Sequence, residues 1–513
     1  MKKKISISLV RGPVIFKTGA LNNDSTPAIG FAYLSGYLRK FGYEPVWVDA
    51  ISEGISQTWP LDKYPGFGGL GLTFDEIIAR IPKDSQVIGI PAMFSGEWPI
   101  VRDLFMEVRK HFPKALLVGG GEHLTALTEF SLKDCPALDV CVRGEGEHTF
   151  LELIKAYEAT GNYSEVDGIA FLDEGKTLCQ NEGLPPRIRK IDEIGWPYWP
   201  DGYLENFWKT GRALGATTEK DMPFMASGGC PYQCTFCSSP SMWTTRYIIR
   251  DVNDAIEEIK HYIKRFAISS VQFYDLTAIT KKTWIVSYCK KLIEEGIQLK
   301  WSLPSGTRSE ALDRETLSLL KQTGCNYLVY APESGSLPTL KRIKKKIKLS
   351  QLTESALEAK RQNLIVRINL IIGFPEENWA DIFATLFYGL KMAIRGIDEV
   401  PLFIFSPYPG TEIFRKLEDE KKIFLNDNYF LALTSLNSAY FSTQIVCFNP
   451  KINKRLLGTL RMLFMVTNYL VSYLFFPKRI LRTLKNIFSP HDAATVVERR
   501  LKDLLLKRKV LEY

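Results

Sequence analysis

Ser227-Gly-Gly-Cys230-Pro-Tyr-Gln-Cys234-Thr-Phe-Cys237-Ser238 is the stretch that decides how this 513-residue chain is read. Its three cysteines are spaced Cys-x3-Cys-x2-Cys in a loop opened by two glycines. Thiolates are the usual ligands of iron–sulfur clusters, and closing a four-iron cluster takes four of them. No fourth cysteine follows at a ligand-like distance, so a cluster held here keeps one iron open to a small molecule. Cys230, Cys234 and Cys237 are therefore the candidate metal ligands and catalytic residues. A zinc site is one alternative, but zinc prefers four closed ligands and usually two separated cysteine pairs. Chance grouping of cysteines is the other.

Working outward toward the C-terminus, short apolar runs alternate with helical ones. Strands are expected at Val271–Tyr274, Leu299–Leu303, Tyr327–Ala331, Val366–Ile372 and Val400–Ser406. Helices are expected over Val252–Lys264, Lys282–Glu295, Arg314–Thr323 and Leu352–Gln362. About six such units fit a partial (β/α)6 barrel better than a complete eight-fold one. Parallel barrels place chemistry at the strand C-termini, where the polar residues fall. Phe273-Tyr-Asp275 closes the second strand, Ser305 follows the third, and Glu333-Ser-Gly-Ser336 closes the fourth. Gly373-Phe-Pro-Glu376 closes the fifth, and Ser406-Pro-Tyr-Pro-Gly-Thr411 follows the sixth. Arg367 is expected to face inward on the fifth strand. Arg246 and Arg250, four apart beyond the cysteines, read as helix-surface charges, and Lys341–Lys348 as a solvated helix entrance.

Working outward toward the N-terminus, the same alternation returns. Strand candidates are Ile5–Val10, Glu44–Val48, Val87–Ile90, Ala115–Val118 and Val140–Val142, separated by helical runs such as Ile29–Lys40, Phe74–Arg80 and Ile100–His111. This argues for an open, doubly wound parallel sheet whose ligand sits beyond the strand carboxyl ends. Gly119-Gly120-Gly121-Glu122-His123 and Arg143-Gly144-Glu145-Gly146-Glu147 fall at those ends. Cys135, Cys141 and Cys179 lack cluster spacing and read as buried small apolar residues. Pro, Gly and aromatics crowd residues 183–222, a boundary signal. The chain then divides into 1–182, a linker at 183–222, a barrel at 223–415 and a mostly helical segment at 416–513.

The cysteine motif, with Phe236 before its last cysteine, resembles that of the radical S-adenosylmethionine (SAM) enzymes. The resemblance implies a 4Fe-4S cluster whose open iron chelates SAM, and reductive cleavage of SAM to a 5′-deoxyadenosyl radical. Pro332-Glu-Ser-Gly-Ser336, Ile372-Gly-Phe-Pro-Glu-Glu377 and Pro407-Tyr-Pro-Gly-Thr411 match that family at the barrel rim. It further implies cofactor contacts at Phe236, Asp275, Ser305, Glu333, Ile371 and Gly373, with Arg367 pairing the SAM carboxylate. Asp275 reads equally as polar core filler, and Arg367 as a structural ion pair. Asn369 departs from the pattern by replacing the family's first glycine on the fifth strand.

The N-terminal third is similar to the cobalamin-binding, Rossmann-like module found ahead of many radical-SAM barrels. Pro27-Ala-Ile-Gly30-Phe-Ala-Tyr-Leu34, Val118-Gly-Gly-Gly-Glu-His123-Leu-Thr125-Ala-Leu127 and Asp139-Val-Cys-Val-Arg143-Gly-Glu-Gly-Glu147 carry the likeness. Leu184-Pro-Pro-Arg187 and Ile191-Asp-Glu-Ile194 mark the family's connector. The likeness implies corrinoid contacts at Gly119, Gly120, His123, Thr125, Gly144 and Glu145. The Asp-x-His-x-x-Gly motif that gives cobalt a histidine is absent, so cobalamin is expected without histidine coordination. A turn histidine bonding backbone accounts for His123 as well as a corrinoid contact does.

The arrangement resembles the anaerobic magnesium-protoporphyrin ester cyclase and the cobalamin-dependent methylases. It implies a methyltransferase acting on an unactivated carbon. One SAM is cleaved at the cluster, a second methylates cob(I)alamin, and the substrate radical takes the methyl from methylcobalamin. A flavodoxin or ferredoxin-type electron donor is implied. A radical-SAM cyclase or rearrangement enzyme is one alternative, and a non-catalytic corrinoid or iron–sulfur sensor is another. A methylthiotransferase is disfavoured because its extra N-terminal cluster cysteines are missing.

Composition is that of a globular protein, 45% hydrophobic and 24% charged. Nine irregularly spaced cysteines do not make a secreted disulfide framework, and a reducing cytoplasm fits them. Met1-Lys2-Lys3-Lys4-Ile5-Ser6-Ile7 superficially resembles a signal peptide but reads better as a first buried strand. The net charge is +9, and from Lys451 to Tyr513 there are 14 Lys or Arg against 4 Asp or Glu. One basic tail therefore explains the whole excess. Within it Leu456–Phe476 is long enough to span a bilayer, although Arg461 interrupts it. Packing on the barrel, or lying on an anionic membrane surface, are the other readings. The expected substrate is a small or lipid-like molecule, and no nucleic acid is expected.

Overall fold

The computed structural model describes residues 4–18, 25–181, 187–210, 219–438, 446–488, 495 and 498. Gly183-Leu-Pro-Pro186 of the expected linker, and nearly all of the chain beyond Phe488, lie outside them. By compactness the chain forms two units. One gathers Met1–Phe207, Thr235–Arg246 and Pro407–Ser435; the other gathers Trp208–Cys234, Tyr247–Ser406 and Leu436–Tyr513. These units cut the chain differently from the four segments expected from sequence.

The first unit is built on a parallel sheet. Val46–Asp49, Ile7–Arg11, Val87–Pro91, Leu116–Gly120 and Val140–Val142 pair in that order. In chain order this is 2-1-3-4-5, so the topology reverses between Ile7–Arg11 and Val87–Pro91, the crevice where such sheets bind ligands. Ile169–Leu172 and Leu178–Gln180 extend one edge as antiparallel strands. Apolar strand residues such as Leu9, Val87, Val118 and Val140 pack against Phe31 and Leu38 of the helix Ile29–Arg39. On the same face they meet Phe150, Leu151 and Ile154 of the helix Gly146–Thr160. Sequence periodicity missed a small antiparallel sheet of Val14–Lys17, Phe67–Leu70 and Thr58–Pro60. Its middle strand, Phe67-Gly-Gly-Leu70, has two glycines at its centre and so shows no alternation of side chains. Cys135 and Cys141 are buried as expected, but Cys179 is half-exposed on its edge strand.

The second unit holds six parallel strands in sequential order: Asp221–Phe224, Ser270–Phe273, Lys300–Thr307, Cys325–Glu333, Ile365–Ile372 and Leu402–Ile404. Among the described residues the first and last do not pair, so the barrel is open. The helices Val252–Phe266, Lys282–Glu294, Arg314–Gln322, Leu349–Arg361 and Trp379–Ile394 connect the strands.

Two register shifts interrupt the ladder at the rim. Leu303 pairs with Leu328 but Gly306 with Val329, so Pro304 and Ser305 are extra. Tyr330 pairs with Ile368 but Glu333 with Leu370, adding one residue before Glu333. Proline cannot donate to a ladder and settles at such bulges. Ser305 thus lies inside the third strand rather than after it.

Gly121 adopts φ +110°, and a Cβ there would stand 2.7 Å from the Ala92 carbonyl oxygen. Gly121→Ala is expected to destabilise the first unit by about 1–3 kcal/mol in urea unfolding. Gly120→Ala, whose Cβ meets nothing nearer than 3.7 Å, should change it by less than about 0.5 kcal/mol.

Candidate functional site

The cysteine loop starts from the first barrel strand and is braced from the second. Asp275, fully buried just past Ser270–Phe273, accepts the Ala226 N–H at 3.1 Å and the Ser227 hydroxyl. Two residues on, the Thr277 hydroxyl donates to Cys230 Sγ at 3.4 Å. Burial raises the Asp275 carboxyl to about 6, against those hydrogen bonds, which favour its charge. Both of its oxygens are spent on the loop, so the expected direct SAM contact at Asp275 gives way to positioning the cysteines.

Cys230, Cys234 and Cys237 form no disulfide and are partly exposed, as candidate ligands should be, and Phe236 between them is half-buried. Gly229 takes φ +76° at the entry to the loop. Among the described residues no three Cys, His, Asp or Glu side chains converge as a mononuclear metal site requires. A multi-iron cluster has bulk of its own and asks its ligands to stand apart. Three soft thiols on one short loop suit iron–sulfur chemistry.

Positive charge surrounds this loop. The Arg308 guanidinium lies 3.8 Å from the centre of the Tyr232 ring. Lys345 Nζ donates to Glu333 at 2.8 Å, with both side chains nearly buried. Burial opposes charge on Lys345, but the Glu333 carboxylate prevails and its pKa lies above the ordinary value. Burial pushes the Cys234 thiol up while Lys345 pulls it down. Lys345 belongs to the stretch expected to be solvated; it turns inward, while Lys344 and Lys346 on either side remain exposed. Glu333 itself holds φ +70°, a conformation that strains a non-glycine residue at the strand end.

On the fifth strand Arg367, Asn369 and Ile371 share the half-exposed face. Arg367 stands five residues before the strand end, about 16 Å below the rim. It donates to Asn369 Oδ1 at 2.8 Å and hydrogen-bonds Tyr327. The expected pairing with a SAM carboxylate at the rim is therefore replaced by a polar contact deep in the barrel. At the rim, Gly373 takes φ +90°, and Glu377 accepts the Gly373 and Phe374 N–H groups at 2.7 and 3.0 Å. Burial raises Glu377 to about 7. Arg250 is buried rather than on the surface, pairing with Asp254 and Glu258, while Arg246 is exposed.

In the first unit the two glycine turns are joined through Thr125. Its hydroxyl donates to the Gly121 carbonyl at 2.9 Å and accepts the Gly144 N–H at 3.0 Å. Gly119 admits the side chain of Leu124, and a Cβ on Gly120 would meet only Val142, at 3.7 Å and beyond. Glu145 is taken by the connector: Arg187 donates to it at 2.6 Å and the Ile188 N–H at 3.0 Å. His123 is a correction. It is 1% exposed, stacks on Trp98 at 4.7 Å, and meets Ser95 and Ser131 hydroxyls with its two ring nitrogens. Burial lowers it to about 3. It has no nitrogen left for a corrinoid. Sequence reading passed over Met93 and Phe94, exposed apolar side chains at the carboxyl end of Val87–Pro91, beside the topological switch. It also passed over Thr277, Arg308 and Lys345. Only Arg308 carried a signal, as a cation just past a barrel strand.

Residues 23–154 match the B12 binding domain, and residues 225–388 match the Radical SAM superfamily. An uncharacterized methyltransferase of Pyrococcus horikoshii is 28% identical over 415 residues, covering 80% of this chain and 83% of that one. Cytidylyl-2-hydroxyethylphosphonate methyltransferase of Streptomyces wedmorensis is 26% identical over 421 residues, covering 76% and 78%. Among solved structures, the cobalamin-dependent S-adenosylmethionine radical enzyme OxsB, with aqua-cobalamin and S-adenosylmethionine bound, superposes with a TM-score of 0.66. It is 16% identical and covers 99% of this chain and 80% of that one.

Two outcomes test the geometry. Asp275→Ala should at least halve the iron bound after anaerobic reconstitution, measured per chain, while costing about 1–3 kcal/mol of stability. For Glu377 the folded pKa of about 7 exceeds its ordinary value of 4.5. The native chain thus holds an extra proton between those values, and stability falls as pH rises through them. Urea midpoints should show that decline in the wild type and a flatter profile in Glu377→Gln.

Proposed function

We propose that this radical SAM enzyme, with its B12-binding domain ahead of the barrel, is a cobalamin-dependent methyltransferase acting on an unactivated carbon. The observation that carries the reading is the three-thiol loop, braced from the second barrel strand, in a chain that also has a B12-binding domain. The two relatives named above are called methyltransferases, which supports methyl transfer; anaerobic magnesium-protoporphyrin IX monomethyl ester cyclase of Cereibacter sphaeroides, 26% identical over 419 residues, keeps ring formation as the alternative.

Cys230, Cys234 and Cys237 would hold the 4Fe-4S cluster, and the glycine turns at Gly119, Gly120 and Gly144 would let the backbone approach a corrinoid. When bound, these cofactors supply radical generation from SAM and a transferable methyl group. The chain's own residues position and shield. Thr277 holds Cys230 by its hydroxyl. Lys345 and Arg308 pull Cys234 toward the thiolate, the form that ligates metal, against burial and the Glu333 carboxylate, which hold its thiol above the ordinary value. Glu333, with Lys345 as its resting partner, offers an acceptor to the SAM ammonium. Ser305 on its bulge, Ile371, and Gly373 with its glycine-only backbone line the rim where adenosine would lie. Phe236 packs beside the cluster. Met93 and Phe94 give a corrinoid face an apolar support, and Thr125 keeps the two turns in register. A flavodoxin or ferredoxin-type protein would deliver electrons in the cytoplasm. The substrate is a small or lipid-like molecule, and the basic C-terminal region favours an anionic surface as a partner.

The test is anaerobic reconstitution with iron, sulfide and cobalamin, followed by SAM and reductant. 5′-Deoxyadenosine should form and disappear in Cys230→Ala, while both proteins retain corrinoid through gel filtration. Deoxyadenosine without retained corrinoid would remove methylcobalamin from the mechanism.

A further inference from the structure

The helix Lys454–Phe475 has its polarity reversed. Its buried face carries Gly458, Arg461, Asn468 and Ser472 beside Leu457 and Phe464, and Arg461 is 1% exposed. Leu456, Leu463, Val466, Leu470 and Leu474 point outward, Leu474 at 76% exposure. Their spacing of seven, three, four and four draws one stripe along the helix.

The next helix, Lys478–Phe488, repeats the arrangement. Arg479, Thr483 and Asn486 are buried; Ile480, Leu481, Leu484 and Phe488 are exposed. Arg479 donates to the Ile397 carbonyl at 3.0 Å and to that of Gly396, and pairs with Asp398, so the elbow is pinned to the barrel. Beside the pair, Phe383 and Phe387 are exposed on Trp379–Ile394, which packs on the first helix where Gly389 admits Phe464.

No single helix here is long and apolar enough to cross a membrane; the two pass that test only together, and they are bent by 111°. A stripe that is apolar outward and polar inward has the geometry of a surface that lies in an interface rather than through it. Charge names the surface. No Asp or Glu occurs between Lys451 and Phe488, while Lys451, Lys454, Arg455, Lys478 and Lys485 are exposed. At 100° per residue, Lys478 and Lys485 line one edge of the second helix's apolar arc.

We propose that this bent helix pair, with Phe383 and Phe387, seats the chain on an anionic lipid surface. Leu457 stands against Gly373, so the lipid contact begins one residue away, at Leu456, beside the barrel rim.

Flotation of the full chain with vesicles tests this, and the readout needs no cofactor. The wild type should float with vesicles of phosphatidylcholine and phosphatidylglycerol, and at least tenfold less with phosphatidylcholine alone or at high salt. Leu470→Glu/Leu474→Glu should reduce flotation at least tenfold while circular dichroism and cofactor-loaded deoxyadenosine formation stay unchanged. Lys478→Glu/Lys485→Glu should restore no binding and weaken the anionic preference. Failure of the wild type to float on anionic vesicles would overturn the proposal. So would flotation that appears only after deletion of residues 500–513, which would make the tail the occupant of the face. A stable dimer dissociated by Leu470→Glu/Leu474→Glu would make a second copy the occupant.

Discussion

Parallel strands can be joined only by crossovers that carry the chain back to the far end of the sheet. Every parallel strand therefore releases its chain at one rim, and the five parallel strands of the first unit's sheet and the six of the barrel obey that constraint. In the barrel it brings the segment after Phe224, the turn after Phe273, the bulged third and fourth strands and the Gly373 turn to a common edge. In the first unit it brings Met93, Gly121 and Gly144 to the carboxyl ends of neighbouring strands. Residues distant in sequence become neighbours without any special device. The local hydrogen bonds then need only fix angles: Asp275 on the cysteine loop, Thr125 between the glycine turns, and Glu377 on the Gly373 turn.

What was legible in the sequence follows from the same constraint. Apolar runs of four to eight residues reveal parallel strands because both of their faces are buried, and five of the six barrel strands were read to within a few residues of their ends, while Asp221–Phe224 was not read and lay half within the expected linker. Cysteine spacing marked out the candidate ligand loop because all three side chains lie on one short segment. The side chains that meet across strands were not legible. Asp275 and Arg367 looked like ligand contacts by their positions, yet one braces Ser227 and the other turns to Asn369 and Tyr327. Whether an inward polar residue meets cofactor or neighbour depends on how far down the strand it stands and what faces it. A single sequence does not carry that information. His123 misled for a related reason: its turn is glycine-rich and ligand-like, but Trp98, Ser95 and Ser131, all remote in sequence, enclose it.

Lys345 shows how charge is placed where water cannot dilute it. A run of cations reads as a solvated surface, and most of this one is. One member turns inward onto Glu333, where burial strengthens the attraction between them and the pull of Lys345 on Cys234. Thiolate ligands would add negative charge beside this pair, and Lys345 pulls toward that charge while its partner Glu333 and burial oppose it. The strained backbone at Glu333 and the bulge before it belong to the same arrangement, since a regular strand end would aim that carboxylate elsewhere.

The reversed helix imposes an order of events on how the chain matures. Arg461 and Asn468 are sheltered only when the barrel helix Trp379–Ile394 and the sixth strand are already in place. Before that, Lys454–Phe475 exposes polar groups along one side and is a poor segment for insertion into hydrocarbon. Afterward the outward side beyond its basic first turn is dominated by leucine, valine and phenylalanine. Its apolar stripe is thus a property of the finished protein, and a nascent or misfolded chain does not possess it.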